Sequence, residues 1–149
     1  PLYTLSLHDA LPISLDTPPT LPPVAASRTH MQVVFRNLLE NAIRYSPPGG
    51  RITWRLWQEG DVLRVAVADT GQGISADDLP HIFERFYRAD KARTRAAGGV
   101  GLGLSLTRSI VDFCNGRITI DSPGLGQGTI ANVWWPLNLN VEEKLEMRD

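Results

Sequence analysis

Residues 62–74 read VLRVAVADTGQGI, and their parity decides the fold. Leu63, Val65 and Val67 alternate with Arg64, Ala66 and Ala68, which predicts a strand over residues 62–69 with one apolar face. Asp69 shares the parity of the three apolar residues, so its carboxylate is expected to point toward the core. An unpartnered buried carboxylate costs on the order of several kcal/mol. A ligand amine would supply the partner. Gly71 and Gly73 follow directly, and glycine lets a flat ring approach the backbone closely. Two readings stay open: a plain turn headed by aspartate, or an adenine pocket in which Asp69 accepts from an exocyclic amine.

Working upstream, residues 51–58 also alternate, with Ile52, Trp54 and Leu56 on one face, and the turn 59–61 makes the two strands a hairpin. Before them lies a helical pattern over residues 28–46. Met31, Val34, Phe35, Leu38, Ala42 and Tyr45 recur at helical spacing. Ser27 is placed as its N-cap, and Pro47, Pro48, Gly49 and Gly50 end it. Four prolines in residues 16–27 force an extended approach. Residues 1–14, PLYTLSLHDALPIS, read unlike the rest and resemble a translated sequencing adapter. They are expected to be foreign and are left out of the fold.

Downstream, a short helix is expected over residues 75–81, started by Ser75. A polar, basic, mobile loop follows over 85–98, then a helix over 102–113. Closing strands are expected over 117–121 and 129–135, separated by the glycine-rich turn 124–128. Residues 138–149 form a charged tail. The domain is set at residues 15–137. This order of elements predicts a two-layer α/β fold, with helices packed on one face of a mixed sheet.

The chain has 149 residues, 42% of them apolar, a size and composition that suit one globular domain. Lysine and arginine number 15 against 16 acidic residues, for a formal charge of −1. That balance argues against nucleic acid or an anionic membrane as main partner. Cys114 is the sole cysteine, so no internal disulfide forms and a cytoplasmic setting is expected. It is read as a small packed hydrophobe.

Three further groups carry chemistry. Asn37 and Asn41 lie one helical turn apart, with Arg44 further along the same stripe. They form either a solvated face or an amide pair beside a magnesium-bound polyphosphate, whose charge Arg44 would offset. Gly98, Gly99, Gly101 and Gly103 open a helix, where free N–H groups and the positive dipole end suit phosphate. No G-x-x-x-x-G-K-[ST] loop exists. Phe83, Phe86 and Tyr87 read as core. Arg85, Arg88, Lys91, Arg93 and Arg95 form either a solvated face or a clamp on a triphosphate.

Taken in order, these stretches resemble the boxes of sensor histidine kinases. Residues 37–45, NLLENAIRY, look like the N box, and residues 69–74, DTGQGI, like the first glycine box. Residues 83–90, FERFYRAD, look like the F box. Residues 99–104, GVGLGL, look like the second glycine box, and residues 126–129, GQGT, like the last glycine motif. The resemblance implies the Bergerat-type two-layer sandwich of the GHKL superfamily, binding ATP between the helix layer and a lid. By that resemblance Asn41 would coordinate Mg2+, with Asn37 assisting. Arg44 and Tyr45 would contact phosphates, and Asp69 would take the adenine amine between Gly71 and Gly73. Gly99, Gly101 and Gly103 would form the lid hinge and phosphate site, with Thr129 near the adenine. Ile74, Phe83, Arg88, Leu102 and Leu104 complete the implied ATP-binding set.

Three positions depart from the family pattern. Val100 replaces a common threonine, Arg44 a common lysine, and Ser27 a common aspartate. The implied reaction is transfer of the ATP γ-phosphoryl group to a histidine on a dimerisation domain, and onward to a response regulator. That domain is expected to be absent from this chain, whose histidines are His8, His30 and His81. His30 and His81 are read as structural, so no autophosphorylation by the chain alone is expected. Asn37 stands where ATPase relatives carry a water-activating glutamate, which implies slow hydrolysis. The parent kinase would be anchored in the inner membrane. The alternatives are a non-catalytic nucleotide-binding module or truncated fragment, and an anti-sigma-type serine kinase.

Overall fold

The computed structural model describes residues 2–5, 12–24, 26–87 and 103–137. Its sheet has six strands: β1 (Leu2–Leu5), β2 (Ile13–Asp16), β3 (Ile52–Glu59), β4 (Val62–Asp69), β5 (Arg117–Asp121) and β6 (Thr129–Pro136). Their spatial order is β1-β2-β3-β4-β6-β5. Among the described strands, only the β2–β3 pair is parallel. Helices α1 (Arg28–Arg44) and α2 (Gly103–Phe113) supply the second layer.

The expected two-layer α/β sandwich is the fold observed, a mixed sheet with helices on one face. Alternation explains it. Ile52 and Trp54 of β3, Leu63, Val65 and Val67 of β4, Ile118 and Ile120 of β5, and Ala131, Val133 and Trp135 of β6 are all buried. Antiparallel register sets Val65 opposite Val133, and Leu63 opposite Trp135, so one apolar face spans the strands. Helix α1 meets that face with Val34, Leu38 and Ala42. Phe35 wedges its ring edge-on against Trp54, 5.2 Å between centroids. Ser27 caps α1 as expected, its hydroxyl accepting from the His30 N–H.

Three features differ from the sequence reading. The short helix narrows to one 3-10 turn, Leu79–His81. Before it, Ser75 and Asp78 bond each other's polar groups, and a turn closed by Ser75 replaces the first helical turn. Phe86 is not core. Its backbone takes the left-handed conformation (φ 65°), and the residue is 64% exposed. Finally, one strand lies within residues 1–14, β1, and a second, β2, begins there at Ile13 and runs to Asp16. Ile13 and Ser14 pair with Ile52 and Thr53 at the edge of β3. Strand edges recruit any extended backbone through their N–H and C=O groups, whatever its side chains.

The sheet face away from the helices carries an alternating ladder. Arg55 lies over Trp57 at 4.7 Å, Arg64 over Trp57 at 4.9 Å and over Trp134 at 4.0 Å, and Arg117 over Trp134 at 4.7 Å. Arg64 is the central rung. It also donates to Glu59 and Asn132, and its side chain is only 15% exposed. Arg55 instead makes an exposed pair with Asp16. Arg64→Ala is therefore expected to lose about 1–3 kcal/mol in urea unfolding. Arg55→Ala is expected to lose less than about 1 kcal/mol. Equal losses would contradict the ladder's central role for Arg64.

Candidate functional site

Strand β4 delivers Asp69 to its inner face at the end of the sheet, one step past buried Val67. Burial raises the carboxyl pKa above the ordinary aspartate value. Backbone hydrogen bonds from Gly71 and Thr129 oppose that rise without cancelling it. The Gly71 N–H donates to Asp69 Oδ1 at 2.8 Å. Thr129, the first residue of β6, is the register partner of Asp69.

The loop after Asp69 is held by backbone on both sides. The Gln72 N–H donates to the Tyr45 carbonyl at 3.0 Å, so the C-cap of α1 anchors it. The Gly126 N–H donates to the Gln72 carbonyl at 2.7 Å, and the Gly128 N–H to the Gly71 carbonyl at 3.2 Å. Thr70 exchanges two bonds with Arg51. Glycine is required here by close approach. A Cβ on Gly71 would collide with the Tyr45 carbonyl oxygen, and one on Gly73 (φ 69°) with the Gly124 carbonyl oxygen. The sequence reading credited both glycines to ring access; the structure adds a crossing of protein backbones.

A second cluster joins the helices. Asn37 Nδ2 donates to the Gly103 carbonyl at 3.3 Å and lies 3.2 Å from Thr107 Oγ1. Thr107 Oγ1 itself donates to the Gly103 carbonyl at 2.7 Å. A carbonyl oxygen only accepts, so the amide orientation is settled: nitrogen toward α2, oxygen away from it. Thr107 is fully buried, and it was not among the residues read from the sequence. Its signal was a lone polar side chain on the apolar stripe of Leu104, Ile110 and Val111.

The remaining residues fall around these two clusters. Asn41 is half-buried one turn beyond Asn37, and Arg44 is exposed at the end of α1. Ile74, Phe83 and Leu104 are partly buried against the core. The Arg108 guanidinium lies over the Phe83 ring at 5.1 Å. Tyr87 donates its hydroxyl to Asp78, and this bond is the main cause of that carboxyl's lowered pKa. Arg88, Gly99, Gly101 and Leu102 lie outside the described residues, as do Lys91, Arg93, Arg95 and the tail at 138–149. Cys114 is half-buried and its thiol pKa is raised by desolvation, which keeps it protonated.

Residues 26–139 match the family described as histidine kinase-, DNA gyrase B- and HSP90-like ATPase. The chain belongs to this family. It corresponds to the ATP-binding catalytic domain of two-component sensor histidine kinases. It is 36% identical to the signal transduction histidine-protein kinase BaeS of Escherichia coli, over 95% of this chain and 28% of BaeS. It is 40% identical to the sensor histidine kinase WalK of Bacillus subtilis, over 74% of this chain and 18% of WalK. The chain thus spans less than a third of either relative. Among solved structures, the mycobacterial sensor histidine kinase MprB superposes with a TM-score of 0.70 at 30% identity, covering 84% of each chain.

Within this catalytic domain, Asp69 is bonded to the backbone of Gly71 and Thr129, the same loop is tied to the Tyr45 carbonyl through Gln72 and to Ser122 through Ile74, and Gly73 passes close to Gly124, while Asn37 and Gly103 form a second cluster. The raised pKa of Asp69 fixes a sign. Below the unfolded-state pKa, about 3.9, both states are protonated and the group contributes nothing. As pH rises from there, the unfolded chain ionises while the folded carboxyl holds its proton, so stability falls until pH has passed the higher folded-state pKa. Wild-type stability is therefore expected to drop relative to Asp69→Asn across that window in pH-dependent thermal unfolding. A parallel pair of profiles would contradict the burial of the charge.

Proposed function

We propose that the domain binds Mg-ATP with its adenine at Asp69 and passes the γ-phosphoryl group to a histidine on a separate helical-hairpin domain. From there it would reach a response regulator. The observation that supports this most is the half-buried Asp69 carboxylate, whose ionised form is opposed by desolvation. An exocyclic amine donating to it would stabilise that form. Residues 15–137 serve as the catalytic unit and 138–149 as a tail.

Mg2+ fits the donor set at the other end. With Asn37 Nδ2 committed to Gly103, its amide oxygen faces away from α2, and Asn41 lies one helical turn on. Hard magnesium takes amide oxygens, and it would offset phosphate charge at the γ-phosphoryl group. Arg44 and Tyr45 lie at the end of α1, where they would meet the phosphates. Gly99, Gly101, Leu102, Gly103, Leu104, Arg88, Ile74 and Phe83 complete the proposed contacts.

The balance of the step is simple. The neutral imidazole nitrogen of the acceptor histidine forms the N–P bond as the β–γ oxygen bridge breaks, and ADP leaves. The proton on the other ring nitrogen departs to solvent. No general base on this chain is needed, so its residues only bind and orient. An amide at Asn37 takes no proton from water, which keeps hydrolysis slow. His30, packed edge-on against Phe113, and His81, paired with Glu84, are not acceptors. Among the described residues no helix is long and apolar enough to cross a membrane. By its likeness to sensor kinases, the proposed setting of the domain is the cytoplasm, with a longer parent kinase anchored in the inner membrane.

ATP titration with and without magnesium tests the reading. Wild type is expected to bind in a magnesium-dependent manner, and Asp69→Asn to lose at least about tenfold in affinity. Radiolabel from γ-labelled ATP should reach protein only when a cognate hairpin domain is added in trans. Magnesium-dependent binding without such transfer would favour a nucleotide-sensing module. Label on His30 or His81 would overturn the proposal.

A further inference from the structure

Ser122 lies just past β5, outside the residues assigned to nucleotide or metal. A hydroxyl carries one proton and two lone pairs. Here all three are used. The Ile74 N–H donates to Ser122 Oγ at 3.0 Å and the Gly124 N–H at 3.3 Å. The hydroxyl proton goes to the Gly128 carbonyl at 2.7 Å, closer than the alternative Gly124 carbonyl at 3.2 Å. One atom thereby ties the end of the loop at 70–74 to both ends of the turn at 124–128.

We infer that Ser122 is a positioning residue for the base pocket, acting through the two loops that flank Asp69 rather than by touching nucleotide. The inference rests on the proposed adenine contact of Asp69. Ile74 closes the glycine loop whose Gly71 N–H donates to the carboxylate. Gly128 directly precedes Thr129, whose backbone also supports the carboxylate charge. The loops share two direct bonds, from Gly126 to Gln72 and from Gly128 to Gly71. Ser122 adds the tie at the far end of the loop. The contacts of Asn37 with Gly103 and Thr107 share none of these atoms. Loss of the Ser122 hydroxyl therefore disturbs base recognition and spares the phosphate end.

The full chain, wild type, Ser122→Ala and Ser122→Thr, is titrated with Mg-ATP and with magnesium tripolyphosphate as a probe lacking the base. Thermal unfolding of each variant confirms folding. Ser122→Ala is expected to weaken Mg-ATP binding about tenfold, from hydrogen bonds lost in the loops, and to leave tripolyphosphate binding unchanged. Ser122→Thr, which keeps the hydroxyl, should restore most of the affinity. Undiminished Mg-ATP binding by Ser122→Ala would overturn the inference, and so would an equal loss for both probes. Wild-type chain that binds tripolyphosphate but shows no added affinity for ATP would instead sink the adenine reading, and this inference with it.

Discussion

Strand β4 sends apolar side chains toward the helices at every second position, and its last inward position is a carboxylate. Asp69 cannot turn away, because the pleat that buries Val65 and Val67 also aims Asp69. Its register partner Thr129 fixes the start of β6, and its own carboxylate fixes Gly71. The two loops flanking it must then pass close to one another and to the end of α1. Glycine at 71 and 73 is what that closeness demands. The half-buried carboxylate thus sits where three chain segments meet, and burial outweighs the backbone bonds in raising its pKa.

The helix layer depends on this arrangement in turn. Helix α1 is pinned at its C-terminal end by the Tyr45 carbonyl accepting from Gln72. Along its length it is pinned by Phe35 against Trp54 and by Asn37 against Gly103. The first two contacts bind it to the sheet and the base loop. The third binds it to α2. Helix α1 therefore links the base loop to the first turn of α2, where the glycine-rich segment ends.

Much of this was legible in the sequence, for identifiable reasons. Alternation in residues 51–58 and 62–69 and helical periodicity in 28–46 point to the sheet face and α1, because burial enforces both periods. The parity of Asp69 was readable for the same reason. Ser122 and Thr107 were not, since their importance lies in contacts 48 and 70 residues away along the chain, which no local pattern encodes. Phe86 was misjudged because aromatic composition says nothing about a left-handed backbone. The outer ladder is not legible in the sequence, because arginine and tryptophan on alternate positions read as an ordinary polar face until cross-strand register stacks them.

Position 37 shows how packing and chemistry constrain one another. The Gly103 carbonyl offers only lone pairs, and Thr107 has already spent its proton on it. A side chain at 37 that bonds either group must donate. An ionised glutamate only accepts, so in this arrangement it would meet the Gly103 carbonyl and the Thr107 hydroxyl oxygen without a proton to give either. Helix α2 would have to move for a carboxylate to be housed there as a base for water. The amide that holds the two helices together is also the group unable to activate water. The contact that orders the first turn of α2 is thus made by a donor, and a carboxylate at 37 could not make it.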